Sequence, residues 1–149
     1  MLFILFLPGT VVLSQVSKDS VILNEILNEN FTVAKSYKTL PGSIRQYLNN
    51  LYGKDFKISN KKFNSSDVNK KESTSRSMSY VATSYSKNSY ILSYDHGGKA
   101  HHHHTLIFNL RGDKVTNVYN LITPIHTSVV ELRAFIESKT YSIQTIDEI

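Results

Sequence analysis

Between residues 78 and 121 the apolar side chains recur mostly at every second position, the period of a β-strand with one packed face. Four alternating sets follow one another along the chain: Met78, Tyr80 and Ala82; Tyr90, Leu92 and Tyr94; Leu106, Phe108 and Leu110; Val115 and Tyr119. Short polar turns separate these sets, among them Arg111-Gly112-Asp113-Lys114. The pattern predicts strands joined as an antiparallel meander, with one face buried and the other partly wet.

Three segments with helical periodicity flank these strands. In the clearest one, the residues at i, i+3, i+4 and i+7 are Ile44, Tyr47, Leu48 and Leu51. Gly53, just past the last of them, is typical of a helix end. Ser128 and Glu131 form an S-x-x-E capping box that predicts the start of a second helix. Residues 20–30 predict a short amphipathic helix.

Together these elements predict an α+β domain. We expect a four- to five-stranded antiparallel β-meander with two or three helices packed on one face. Residues 54–59 alternate Phe56 and Ile58 with polar side chains and predict a further half-buried strand. The tail at 141–149 is expected either to fray or to add an edge strand.

Two segments differ from this pattern. Residues 1–14 are an uncharged apolar run, too short for a transmembrane helix of about 20 residues. Val12 and Ser14 occupy the positions where a secretory cleavage site has small residues. We therefore expect a signal peptide, a secreted or periplasmic location, and a single domain over residues 15–149. Residues 60–77 are rich in Ser, Asn and Lys and predict a polar loop.

Composition narrows the classes of function. The chain has 149 residues, with 17 Lys and Arg against 12 Asp and Glu, and it has no Cys. One domain of this size has no room for separate cofactor and substrate modules, and the absence of Cys excludes disulfides, thiolate catalysis and Cys-ligated metals. The polar loop carries basic residues without interleaved aromatics or a recognition module, so we expect no nucleic-acid partner. No motif identifies a reaction, a cofactor or a set of catalytic residues.

Histidine is the chemical anomaly of the sequence. The chain has six, and all except His126 lie in the segment 96–104. Because alternate side chains of a strand share a face, we expect His101 and His103 on the wet face. A hairpin loop of two or four residues puts His96 on that face too, whereas a loop of three residues reverses its assignment.

Three imidazoles on one wet face predict a metal site. We assign His96, His101 and His103 as ligands of Zn²⁺ or Cu²⁺, with water in an open fourth position. Metal-assisted catalysis is not expected, because only Asp95 is near enough in sequence to act as a base. The alternatives are a solvated histidine run with no ligand and a patch that gains charge below a pH of about 6.5.

A family resemblance rests on three stretches: Leu40-Pro41-Gly42-Ser43-Ile44-Arg45-Gln46-Tyr47-Leu48, Phe56-Lys57-Ile58, and Phe108-Asn109-Leu110-Arg111-Gly112-Asp113-Lys114-Val115. Over about residues 40–121 the chain resembles the small exported PepSY-like, β-lactamase-inhibitor-like modules, in which a Pro-led helix precedes a strand meander with an F-x-x-x-G-x-x turn. The polar loop and the C-terminal helix depart from that pattern. The resemblance implies a non-enzymatic binding or inhibitory module, with no catalytic residues to carry over.

The sequence thus predicts an exported binding or interaction module for an unidentified protein or small ligand, with the histidine hairpin as its specific site. The alternative is a small cone-like α+β enzyme with a pocket between the helices and the sheet. A deep pocket that holds His126 or a buried carboxylate with a perturbed pKa would favour the enzyme, and a filled core with the histidines clustered on an open hairpin would favour binding.

Overall fold

The computed structural model describes a subset of the chain, namely residues 23–52, 56–59, 76–97 and 102–144. The predicted signal peptide at 1–14, most of the predicted polar loop and the predicted ligand His101 lie outside the described residues. The prediction of a single domain over 15–149 stays a prediction.

The described residues form one six-stranded sheet with three α-helices. Its strands are β1 (Phe31–Ala34), β2 (Arg76–Ser84), β3 (Ser89–His96), β4 (His102–Arg111), β5 (Lys114–Thr123) and β6 (Ser142–Gln144). Each strand pairs antiparallel with its neighbour in sequence, so the sheet is a meander. The helices are α1 (residues 23–28), α2 (Gly42–Tyr52) and α3 (Val129–Glu137), and a 3₁₀ turn spans Tyr37–Thr39. The predicted α+β class is confirmed, but four to five strands was too low a number.

The difference in strand number lies at the sheet edges. β1 and β6 are short edge strands in which every residue is partly or fully exposed, so their hydrophobic alternation is weak. The strand predicted at 54–59 is wrong for the described residues 56–59, where Ser59 makes only an isolated parallel bridge to Ser77. Arg76 and Ser77, which we predicted to end the polar loop, begin β2 instead.

Helices cover both faces of the sheet, and the prediction that they cover one face was wrong. We name the faces the α2 face and the α3 face after the helices that pack on them, and α1 lies with α3. Buried residues of the α2 face include Ile44, Leu48, Leu92, Tyr94, Leu106 and Phe108. Buried residues of the α3 face include Ile26, Tyr80, Ile91, Ile107, Leu121, Leu132 and Ile136.

The sequence of β4 explains why both faces are covered. Leu106, Ile107 and Phe108 are consecutive apolar residues, and all three are buried. A strand that is buried on both faces is a continuous apolar run rather than an alternation. The sequence-based prediction took every second residue of the strand as buried and expected the residues between them to be partly exposed to solvent. A bulge between Met78 and Tyr80 adds to this, because it moves these two residues to opposite faces.

The start of α3 is as predicted, and α3 is fastened to α1. Ser128 is the N-cap, and its Oγ accepts a hydrogen bond from the Glu131 N–H at 3.3 Å. Arg133 Nε donates to the carbonyl oxygen of Ile26 at 3.0 Å, and its Nη2 donates to the carbonyl oxygen of Glu29. The guanidinium therefore caps the end of α1. The two helices together close the α3 face.

Candidate functional site

The β3–β4 hairpin carries the histidines, and its register decides which of them share a face. The opposed pairs at its turn end are His96 with His102, Asp95 with His103, and Tyr94 with His104. Directly opposed residues of an antiparallel pair lie on the same face. His96, His102 and His104 therefore lie on the α2 face, whereas His103 and Asp95 lie on the α3 face.

The prediction that His96 and His103 share a wet face was wrong. The residues between the paired strand ends are 97–101, an odd number, and an odd loop reverses the assignment that a loop of two or four residues gives. His103 is only 3 % exposed, and the His126 ring, from the segment before α3, lies against it with the two centroids 4.5 Å apart. His101, the remaining predicted ligand, lies outside the described residues, so its role stays a prediction.

We call the three histidines of the α2 face the histidine cluster: His96, His102 and His104. The ring centroids of His96 and His104 are 5.6 Å apart, and those of His102 and His104 are 6.2 Å apart. Tyr94 stacks on His104 with a centroid separation of 5.2 Å. His104 Nδ1 lies 3.1 Å from Asn120 Oδ1. Since the amide oxygen only accepts hydrogen bonds, Nδ1 of the neutral ring carries the proton and Nε2 keeps its lone pair.

Electrostatics keep the inner members of the cluster neutral. Burial, the positive charge of Arg76 and the neighbouring histidines lower the pKa of His96 to about 4. Burial also lowers the pKa of His104. His102, at the start of β4, is exposed. Among the described residues, no three His, Asp or Glu side chains have their ligating atoms around a common point in this conformation. Metal binding to this cluster therefore requires a side-chain rotation.

A second group of polar side chains lies on the α3 face, and we call it the buried polar network: Ser93, Asp95, His103, Thr105, Thr123 and His126. His103 Nδ1 is 2.8 Å from Asp95 Oδ1, and His103 Nε2 is 2.8 Å from Ser93 Oγ. A carboxylate only accepts hydrogen bonds, so Nδ1 of the neutral ring carries the proton. The unprotonated Nε2 then accepts the hydrogen bond from the Ser93 hydroxyl.

His126 enters the buried polar network from the segment between β5 and α3. Its Nδ1 lies 3.0 Å from the carbonyl oxygen of Pro124 and therefore carries the proton of the neutral ring. Its Nε2 lies 3.3 Å from Thr105 Oγ1 and 3.4 Å from Ser93 Oγ. Burial lowers the pKa of His126 to about 4, and the Pro124 carbonyl opposes this only in part. The His103 and His126 rings, with centroids 4.5 Å apart, thus both direct Nε2 at the Ser93 hydroxyl.

Sequence reasoning set His126 apart from the other histidines and gave Ser93 no role. A signal for part of the network was present, because Ser93 and Asp95 are two residues apart on one strand and must share a face. What was missing was the length of the hairpin loop, which places His103 on that face too. The approach of His126 is a tertiary contact that no local pattern encodes.

Comparison with known proteins identifies no relative of this chain. The chain matches no protein-family model, and no curated protein or solved structure shows significant similarity to it. The PepSY-like resemblance stays a prediction. In the described part of the chain, no helix is both long enough and apolar enough to cross a membrane.

Proposed function

We propose that the protein is a small exported binding module that captures a divalent transition-metal ion, Zn²⁺ or Cu²⁺, at the histidine cluster. The observation that supports this proposal is the register that groups His96, His102 and His104 on one face of one hairpin. Imidazole nitrogen suits both metals. The proposed ligand set keeps His96 from the sequence prediction, and it replaces His101 and His103 with His102 and His104.

Each histidine has a distinct part in this proposal. His104 is oriented by Asn120, which holds Nδ1 and leaves Nε2 for the metal, as the outer partners of metal-bound histidines commonly do. His96 is neutral at pH 7, and metal ligands must be unprotonated. His102 is exposed and can change rotamer quickly to complete the site.

The positive charge of Arg76 repels a bound metal cation and determines whether the fourth ligand of the metal is neutral or anionic. Its charge acts on both His96 and His104, where it lowers the pKa. The same repulsion weakens the binding of a bare metal ion and favours an anionic fourth ligand, such as hydroxide or a carboxylate. We therefore expect tighter binding in the presence of a small carboxylate than in its absence.

Isothermal titration of Zn²⁺ and Cu²⁺ at neutral pH tests the proposal, with protein purified without a nickel column. His102→Ala should weaken binding by about tenfold or more, which is ~1.4 kcal/mol. His101→Ala is the matched control, since it removes the same side chain one position earlier. Equal losses in the two variants overturn this ligand set. Affinity no tighter than that of a synthetic peptide with the 96–104 sequence overturns metal binding by the folded hairpin.

Export has its own test. The uncharged apolar run at 1–14 supports it. Fractionation of the native host followed by N-terminal sequencing should find a chain that starts after Ser14 outside the cytoplasm. Recovery of the full chain from the cytoplasm alone overturns export.

The alternative function is a small enzyme with its site between the helices and the sheet. One observation favours it: in that layer Asp95 is linked to the Ser93 hydroxyl through His103, and His126 Nε2 lies beside the same hydroxyl. This arrangement involves none of the residues of the histidine cluster.

A further inference from the structure

The α3 face carries a hydrogen-bonded chain from a carboxylate through an imidazole to a hydroxyl. Both links, Asp95 Oδ1 to His103 Nδ1 and His103 Nε2 to Ser93 Oγ, are 2.8 Å long. In this order and at these distances a serine hydroxyl is activated as a nucleophile, because the base is adjacent and held in the correct tautomer. We propose that Ser93 is the nucleophile of an acyl-transfer site for carboxylic esters, with His103 as general base and Asp95 as the positioning residue.

The proton positions follow from groups that can only accept. Asp95 fixes the Nδ1–H of His103, so His103 Nε2 is the lone pair that faces Ser93. The Pro124 carbonyl fixes the Nδ1–H of His126 in the same way. His126 Nε2 is the more distant acceptor from Ser93 Oγ, at 3.4 Å against 2.8 Å for His103 Nε2. The Ser93 proton therefore passes to His103.

The reaction that this arrangement supports is balanced without a cofactor. Ser93 Oγ adds to the ester carbonyl carbon while its proton passes to His103 Nε2. The carbon–oxygen bond to the alcohol then breaks, and the alcohol leaves with that proton. Water repeats the sequence on the acyl-serine, releases the acid and restores Ser93.

Tyr80 is the neutral donor that this site offers to the developing oxyanion. Its hydroxyl interacts with the Ser93 side chain and donates a hydrogen bond to the Ser128 carbonyl oxygen at 3.3 Å, an acceptor that it exchanges for the oxyanion. Burial raises the pKa of Tyr80, so its hydroxyl remains protonated. A protonated hydroxyl in a water-poor site is an effective donor to negative charge.

Access limits this site in the conformation described. Ser93 is 0 % exposed beneath the segment that carries His126, and His126 is itself 1 % exposed, with its ring against Phe135 of α3. An ester reaches Ser93 only when this covering layer separates from the sheet, and such local opening is common in elements that cover a site. The reaction of Ser93 is therefore slow but specific to the folded chain.

An active-site-directed fluorophosphonate tests the proposal, because it reacts with an activated serine and leaves a stable adduct. Intact-mass measurement and peptide mapping should find a single adduct on Ser93. His103→Gln should slow its formation by roughly 10²- to 10⁴-fold. Ser84→Ala is the matched control, because Ser84 is another buried serine of the sheet, hydrogen-bonded without an imidazole. It should leave the rate unchanged.

Further variants separate positioning from folding. Asp95→Ala should slow labelling as His103→Gln does, and Asp95→Glu should restore part of the rate, since a carboxylate again holds Nδ1. In wild-type protein, labelling of Ser93 should stop above the urea midpoint of unfolding, which gives a readout even if His103→Gln fails to fold. No adduct on Ser93, an unchanged rate in folded His103→Gln, or labelling that persists in urea overturns the proposal. None of these readouts depends on metal binding at the histidine cluster.

Discussion

Acid should destabilise this fold through His126, and the direction follows from its pKa. Burial lowers that pKa from 6.5 to about 4, whereas in the unfolded chain it returns to about 6.5. Between these two values the unfolded chain binds a proton that the folded chain does not. The free energy of unfolding therefore falls as the pH is lowered through this window. Above about pH 6.5 the residue is neutral in both states and contributes no slope.

The structure gives the size of the effect. One proton of difference corresponds to ~1.4 kcal/mol per pH unit, so the whole window amounts to ~3 kcal/mol. The physical cost is desolvation, because the His126 ring lies against the rings of Tyr80 and Phe135, with centroids 5.6 Å and 5.9 Å away. A charged imidazole at this position would contact aromatic rings instead of the water that stabilises its charge.

Urea unfolding between about pH 8 and pH 4.5 measures this slope in the wild type and in His126→Asn. Asparagine does not titrate, and its amide can still donate to the Pro124 carbonyl. Below about pH 6.5 the wild type should lose ~1.4 kcal/mol per pH unit more than the variant, and above it the two curves should run parallel. Other titrating groups contribute equally to both proteins. Parallel curves over the whole range would refute the reasoning, whatever the absolute stability of the variant.

Three further predictions concern the scaffold, each measured by urea unfolding. Arg133→Ala should lower the free energy of unfolding by about 2 kcal/mol, because the carbonyls of Ile26 and Glu29 lose their donor; Arg133→Lys should recover little, and full recovery would contradict the capping role. Gly112→Ala should cost about 1 kcal/mol, since φ is +59° with no atom within 4 Å of the added methyl, and Gly112→Asn should cost less. Ser128→Ala should cost about 1 kcal/mol through the lost N-cap, and Ser128→Asp should restore it.

Local patterns were sufficient to predict the elements with strong periodicity. The four long strands follow the alternation between residues 78 and 121, and α3 begins at the capping box of Ser128. The edge strands were harder, because a strand of three or four residues with one paired side has little apolar pattern. The segment around Phe56 shows the converse: Phe56 is buried, but its burial comes from packing in the core of the α2 face rather than from strand pairing.

The number of faces covered by helices was not predictable from alternation alone. Tyr90, Leu92 and Tyr94 give a clear phase in β3, and Ile91 lies in the opposite phase and is equally buried. One apolar residue between the alternating buried positions of a strand is only weak evidence that helices cover the second face of the sheet. The runs Ile91-Leu92 and Leu106-Ile107-Phe108, taken together, were the signal that both faces are buried.

The candidate sites depend on one integer, the number of residues between the paired ends of β3 and β4. With an even number, His96 would lie opposite an odd-numbered histidine of β4; with the observed odd number, it lies opposite His102. Neighbouring histidines of β4 therefore lie on opposite faces of the sheet and differ in their exposure to solvent. His102 is exposed on the α2 face, and His103 is buried beside Asp95 on the α3 face. Histidines thus occur both in the partly buried histidine cluster and in an interior hydrogen-bonded chain, and the face on which each one lies decides between the two.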